Sequence, residues 1–94
     1  MIASYRTKRD ARFASGERVK EFESIQKQAR VRLALLNSAV SLRELSAVRG
    51  NHLEALKGDR TGQHSIRINE KWRICFVWND TDKSAELVEI VDYH

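Results

Sequence analysis

Three residues at the C-terminal end of the sequence, Asp92, Tyr93 and His94, follow directly on the apolar stretch Leu87 to Val91. A carboxylate, a phenol and an imidazole are all side chains that transfer protons in catalysis. Order usually fades at a chain end, but a strand immediately before these groups gives a sheet the means to hold them. Strand alternation puts Asp92 and His94 on one face and Tyr93 on the other. A second chemical feature lies upstream. His64 to Ile68 and Trp72 to Trp78 both alternate, with Ile66 and Ile68 backed by Ser65 and Arg67, and Trp72, Ile74, Phe76 and Trp78 backed by Arg73, Cys75 and Val77. The two apolar faces coincide only if the loop between them is odd, which selects Asn69, Glu70 and Lys71. Ile68 then opposes Trp72, Ile66 opposes Ile74, and Arg67 opposes Arg73. Like charges directly opposite are unfavourable unless something offsets them. Two readings stay open: an anion site to which the last strand delivers Asp92 and His94, or arginines each neutralised by a nearby acid such as Glu54, Glu89 or Asp92.

The elements that position these groups follow from the rest of the pattern. A first strand is expected at Ile2 to Arg6 and a helix from Thr7, where Thr7 and Asp10 have capping-box spacing, to a stop at Gly16. A longer helix is expected from Ser24 to Asn37, its apolar stripe being Ile25, Ala29, Leu33 and Leu36, with Gln26, Lys27 and Arg30 away from it. Ser41 and Glu44 repeat the capping spacing and open a brief helical turn through Leu42 and Leu45, which Gly50 and Asn51 break. Strands follow at Leu53 to Lys57, ended by Gly58 and Asp59, and at Ala85 to Tyr93 after the turn Asn79 to Ser84. The expected class is α+β: an N-terminal strand, two helices, then a mainly antiparallel four-strand part packed as one curved sheet.

Ninety-four residues, 41% hydrophobic and 32% charged, fit a single globular domain over 1–94. The longest apolar run, Ile74 to Trp78, is far too short to span a bilayer, and basic residues from Arg6 onward interrupt any secretory signal. A cytoplasmic location with no membrane partner is the expectation. Cys75 is the sole cysteine and sits within Ile-Cys-Phe-Val-Trp, the setting of a small buried hydrophobe. Residues 1–32 hold nine Lys or Arg against four acids, the remainder eight against nine, so the net +4 is an N-terminal surplus able to attract a phosphate backbone.

The stretch LEALKGDRTGQHSIRINEKWRICF (Leu53 to Phe76) and the terminal VEIVDYH (Val88 to His94) resemble the HigB branch of the RelE-like toxins of bacterial toxin–antitoxin modules. The C-terminal half carries the motifs; the N-terminal half agrees in element order and length. This resemblance implies a RelE-like fold and a ribosome-dependent mRNA endonuclease acting in the A site of the 70S ribosome. Its products would be a 2′,3′-cyclic phosphate and a 5′-hydroxyl, formed without metal or other cofactor. It also implies a cognate HigA-like helix-turn-helix antitoxin as partner.

The same resemblance carries catalytic roles onto Lys57, Arg73, Asp92 and His94. Arg73 would grip a phosphate bidentately while Lys57 adds a compact charge on the developing phosphorane. Asp92 and His94 would share proton transfer, Arg67 would position the backbone, and Tyr93 would stack on a base if the strand end twists. Some relatives place a histidine three residues before the lysine of LKGD, where this chain has Glu54. Glu54 is therefore the candidate substitute base, and His52, on the same face about 7 Å along the strand, a lesser substrate contact. His64 shares the parity of Ile66 and Ile68 and reads as a core or edge histidine. No zinc site follows from His52, His64, His94 and Cys75, which lack a closely spaced ligand pair. Two other classes remain: a non-catalytic gyrase-binding toxin of the ParE kind on the same scaffold, and a basic nucleic-acid-binding module, which lacks an RNP, KH or helix-turn-helix signature.

Overall fold

The computed structural model describes residues 1–92. An extended N-terminal segment leads into α1 (Lys8–Ala14), a 3₁₀ turn (Lys20–Ile25), α2 (Gln26–Ser38) and α3 (Leu42–Ala47). The strands β1 (Glu54–Ala55), β2 (His64–Arg67), β3 (Trp72–Asn79) and β4 (Ser84–Asp92) form one sheet in chain order, every pair antiparallel. The α+β class is as the sequence implies, and the brief helical turn expected after Ser41 extends into a third helix beside the expected two.

Both capping patterns act as read. The Thr7 hydroxyl accepts the Asp10 N–H at 3.2 Å and donates to Asp10 Oδ2 at 2.7 Å, while Ser41 Oγ accepts the Glu44 N–H at 3.0 Å. Asp10 does more than cap. It is 1% exposed, and its Oδ1 accepts the Ile90 N–H at 3.2 Å, tying the start of α1 to the edge of β4. The expected first strand is reduced to two parallel bridges, Ile2 with Ala85 and Tyr5 with Val88. Asp10 explains why the ladder stops there: its carboxylate takes the edge N–H that a longer strand would need. The long helix also begins later than Ser24, because residues 20–25 wind as a tighter 3₁₀ turn that buries Phe22 and Ile25. Its predicted stripe of Ala29, Leu33 and Leu36 is buried as expected.

The core lies between the helices and one face of the sheet. Ile66, Ile74, Phe76, Val88 and Ile90 meet Phe13, Phe22, Ile25, Leu36 and Leu45, all at most 1% exposed. Edge-to-face contacts run from Phe13 to Phe22 (5.0 Å) and from Phe22 to Trp72 (5.7 Å), joining α1, the 3₁₀ turn and β3. Arg30, which the helical pattern assigns to a basic outer surface, instead lies over Phe13 at 4.1 Å and donates to the Phe13 carbonyl at 2.8 Å.

Register is where the sequence pattern is sharpest and where it fails. Ile66 opposes Ile74 and Arg67 opposes Arg73, as parity requires. The Asn69 side chain sets the turn, its Oδ1 accepting the N–H groups of Lys71 and Trp72, both at 2.8 Å. In β4 the pairing runs Val77 with Glu86 and then Cys75 with Glu89, so Leu87 and Val88 face the single residue Phe76 in a bulge. Leu87 takes φ 51° there and is exposed. Beyond the bulge Val91 opposes Arg73 and Asp92 opposes Trp72.

Candidate functional site

The face of the sheet turned away from the core carries Ser65, Arg67, Arg73, Cys75 and Glu89, since directly paired residues project to the same side. Toward one end of this face Arg60 reaches over to Glu89 at 3.1 Å, with Arg6 at 3.7 Å. At the other end an open groove of about 360 Å³ remains, lined by His52, Glu54, Arg67, Asn69, Glu70 and Arg73. Four of the residues singled out from the sequence, His52, Glu54, Arg67 and Arg73, therefore share one site.

Arg73 is held by its own protein. Nε donates to Ser65 Oγ at 2.7 Å, and Nη2 donates to the His52 carbonyl at 2.6 Å and to the Ser65 carbonyl at 3.4 Å. These partners are neutral, so the guanidinium keeps its full charge, and Nη1 makes no hydrogen bond among the described residues. Neither Arg67 nor Arg73 pairs with a carboxylate among the described residues; Glu89 is occupied by Arg60 and Arg6, and Asp92 by Lys71 at 3.5 Å. Arg67 and Arg73 thus stand across from one another in a groove that Glu54 and Glu70 also line, with no ion pair between them and either carboxylate among the described residues. Glu54 pairs with Ser65 across β1 and β2, which sets its carboxylate on the same face as Arg73.

Three expectations need correction. Asp92 does not share the face of Arg73: its partner is Trp72, and Val91 stands across from Arg73, because β4 carries Val88 and Ile90 inward and Asp92 continues their parity. His52 is not a strand residue. It stands at φ 43° and ψ 55° after a 3₁₀ turn, and contributes its carbonyl to Arg73. Lys57 is exposed and precedes a 3₁₀ turn (Gly58–Arg60) two residues beyond the two-residue β1, outside the groove lining. The Leu53–Lys57 strand shrinks because only Glu54 and Ala55 find ladder partners. Tyr93 and His94 lie outside the described residues.

Two contributors escape sequence reading. Ser65 is fully buried and fixes Arg73 Nε; alternation places it on the right face, yet nothing in its type marks it as an anchor. Asn69 shapes the hairpin and lines the groove. Cys75 is fully buried, and burial raises its thiol pKa above the ordinary value, only partly offset by Arg60, while Glu89 raises it further. His64 stacks on Phe76 at 6.3 Å, as a core-edge histidine does. Among the described residues no group of three or more His, Cys, Asp or Glu side chains is placed to hold a metal ion, and no helix is long and apolar enough to cross a membrane.

The sequence has no match among curated proteins. Two solved structures of a YoeB–YefM complex from Staphylococcus aureus, one of them a heterotetrameric toxin–antitoxin complex, contain a chain similar to this one. Their TM-scores are 0.56 and 0.57 at 18% identity, with 100% of this chain and 98% of theirs covered, a likeness of fold. The family model of the RelE-like toxin HigB of type II toxin–antitoxin systems matches residues 4–94. An α+β fold with an arginine-lined groove on its open sheet face thus belongs to a chain of the HigB-like, RelE-like family of type II toxins.

Proposed function

We propose that the groove is the active site of a ribosome-dependent mRNA endonuclease, which halts translation by cutting messages in the A site. The observation that carries this reading is the Arg67–Arg73 pair, two adjacent cations without a carboxylate partner among the described residues, with Glu54 beside them in one open groove. Cleavage by the ribose 2′-hydroxyl needs a base at that oxygen, cations on the non-bridging phosphate oxygens, and an acid for the leaving 5′-oxygen. Arg73, already immobilised, stabilises the charge that builds on the phosphorane without reorganising during the reaction. Arg67 positions the neighbouring phosphate. Glu54 takes the 2′-hydroxyl proton, and Tyr93 and His94 return one to the leaving oxygen or stack on a base. Lys57 contributes long-range charge rather than a direct contact. The bonds balance: the 2′-oxygen–phosphorus bond forms as the phosphorus–5′-oxygen bond breaks, leaving a 2′,3′-cyclic phosphate and a 5′-hydroxyl.

The basic N-terminal third offers the charge to hold ribosomal RNA. Family membership implies neutralisation by an antitoxin, which we take to be a HigA-like helix-turn-helix protein. Expression in growing cells followed by mapping of message 5′ ends tests the proposal. Codon-phased cuts bearing 5′-hydroxyl ends are expected. Arrest of translation without such cuts would refute it, and DNA damage without cuts would favour a gyrase-directed toxin.

A further inference from the structure

We infer that Arg32 and Asn51 are positioning residues that act through the backbone of His52 to set the Arg73 guanidinium in the groove, an inference whose catalytic arm rests on the nuclease reading above. Asn51 is 0% exposed, and a buried amide has to satisfy both its donor and its acceptor end. Its Nδ2 donates to the Leu45 carbonyl of α3 at 3.0 Å, and its Oδ1 accepts from Arg32 Nη1 of α2 at 2.7 Å. Its backbone N–H donates to the Val48 carbonyl at 3.0 Å. Two helices therefore clamp the residue that immediately precedes His52.

His52 stands in the left-handed region, at φ 43° and ψ 55°, an uncommon conformation for a residue with a Cβ though one that histidine adopts more readily than most, and here its surroundings hold it. The surroundings are the three bonds of Asn51 on one side and Arg73 on the other. In this conformation the His52 carbonyl meets Arg73 Nη2 at 2.6 Å, while Ser65 Oγ fixes Nε at 2.7 Å. Two fixed points on a planar guanidinium determine where its remaining N–H groups aim. Gly50 shows how closely the relay is fitted: a Cβ there would stand 3.3 Å from Arg32 Cζ and collide with Nη2, pushing Arg32 off Asn51. The backbone of Gly50 is not in the left-handed region, so a side chain there would act on the relay by displacing the mobile end of Arg32 rather than by straining the backbone.

The test uses the full chain with nitrogen-labelled arginine, reading the Arg73 Nε–H resonance, assigned by its loss in Arg73→Lys. Single-turnover cleavage of ribosome-bound message is followed in parallel. Asn51→Ala strands the Leu45 carbonyl and risks the fold, so Arg32→Ala, Gly50→Ala and Arg32→Lys carry the experiment. Arg32→Ala and Gly50→Ala are expected to shift the Arg73 resonance and speed its solvent exchange at least tenfold. They should also slow saturating cleavage about tenfold or more, with half-saturation moving less than threefold, because small misplacement of a positioning group costs rate more than binding. Arg32→Lys, which keeps a donor for Asn51 Oδ1, should recover most of both effects. An Arg73 resonance that does not change in the folded variants overturns the relay, as does a shifted resonance with undiminished cleavage. If the parent chain cuts no message while the resonance still responds, the hold on Arg73 stands and the nuclease reading is what fails.

Discussion

At the scale of single residues, charge without a carboxylate partner is what separates this site from an ordinary sheet surface. Arg73 is tied to Ser65 and His52 by hydrogen bonds to neutral oxygens, so its position is fixed and its charge is not spent. Removing Ser65 Oγ by Ser65→Ala frees one edge of the guanidinium; cleavage is expected to fall about tenfold and stability by about 1–2 kcal/mol, read by single-turnover assay and urea unfolding. Position 54 tests the base. Glu54→Gln keeps the shape and removes the proton acceptor, and a rate decrease of roughly 10²-fold to 10³-fold is expected. Glu54→His should restore much of the rate, since an imidazole can serve the same oxygen. A third prediction concerns pH. Burial holds the Cys75 thiol above its ordinary 9.0, so the folded chain keeps a proton that the unfolded chain gives up first. Below that ordinary value both states are protonated and the thiol contributes no pH dependence; above it the unfolded state is favoured and stability declines. Cys75→Ala should flatten this alkaline limb in denaturant titrations at about pH 8–11.

Among the elements, α1 and β4 are coupled through one carboxylate. Asp10→Ala would leave the Ile90 N–H without its acceptor and take away the charge partner that Arg9 approaches at 3.7 Å. A destabilisation of about 3 kcal/mol is expected by urea unfolding, well above the effect of an exposed substitution. The β2–β3 hairpin is the element most legible in the sequence: two runs of strict alternation and an odd loop leave a single register, and that register alone sets Arg67 across from Arg73. β4 is not legible in the same way. Its apolar residues occur on both parities, Leu87 and Val91 on one, Val88 and Ile90 on the other, and the bulge at Leu87–Val88 inserts a residue that no local signal marks. Counted from buried Ala85, alternation puts Asp92 on the outer face; after the bulge, Val88, Ile90 and Asp92 share the inner one. Left-handed His52 and the buried amide of Asn51 are equally hidden, because both depend on partners in α2 and α3 that sequence spacing does not reveal.

For the molecule as a whole, the helices seal one face of the sheet and leave the opposite face open at the hairpin end, where the arginines stand. The basic surplus of residues 1–32 adds a screened attraction for phosphate. Replacing the exposed Lys8, Arg12 and Lys20 by Gln should weaken ribosome association and flatten its salt dependence by roughly 0.7–0.9 in log–log slope for each phosphate no longer neutralised. Measured by sedimentation across a salt series, this separates docking from chemistry. Whether the Arg67–Arg73 groove cuts RNA is decided by single-turnover cleavage of A-site message with the parent chain and with Arg73→Ala at saturating ribosome. Arg73→Ala should cleave about a hundredfold more slowly while remaining folded and still sedimenting with ribosomes. Cleavage by Arg73→Ala within about twofold of the parent rate would contradict that role for the groove.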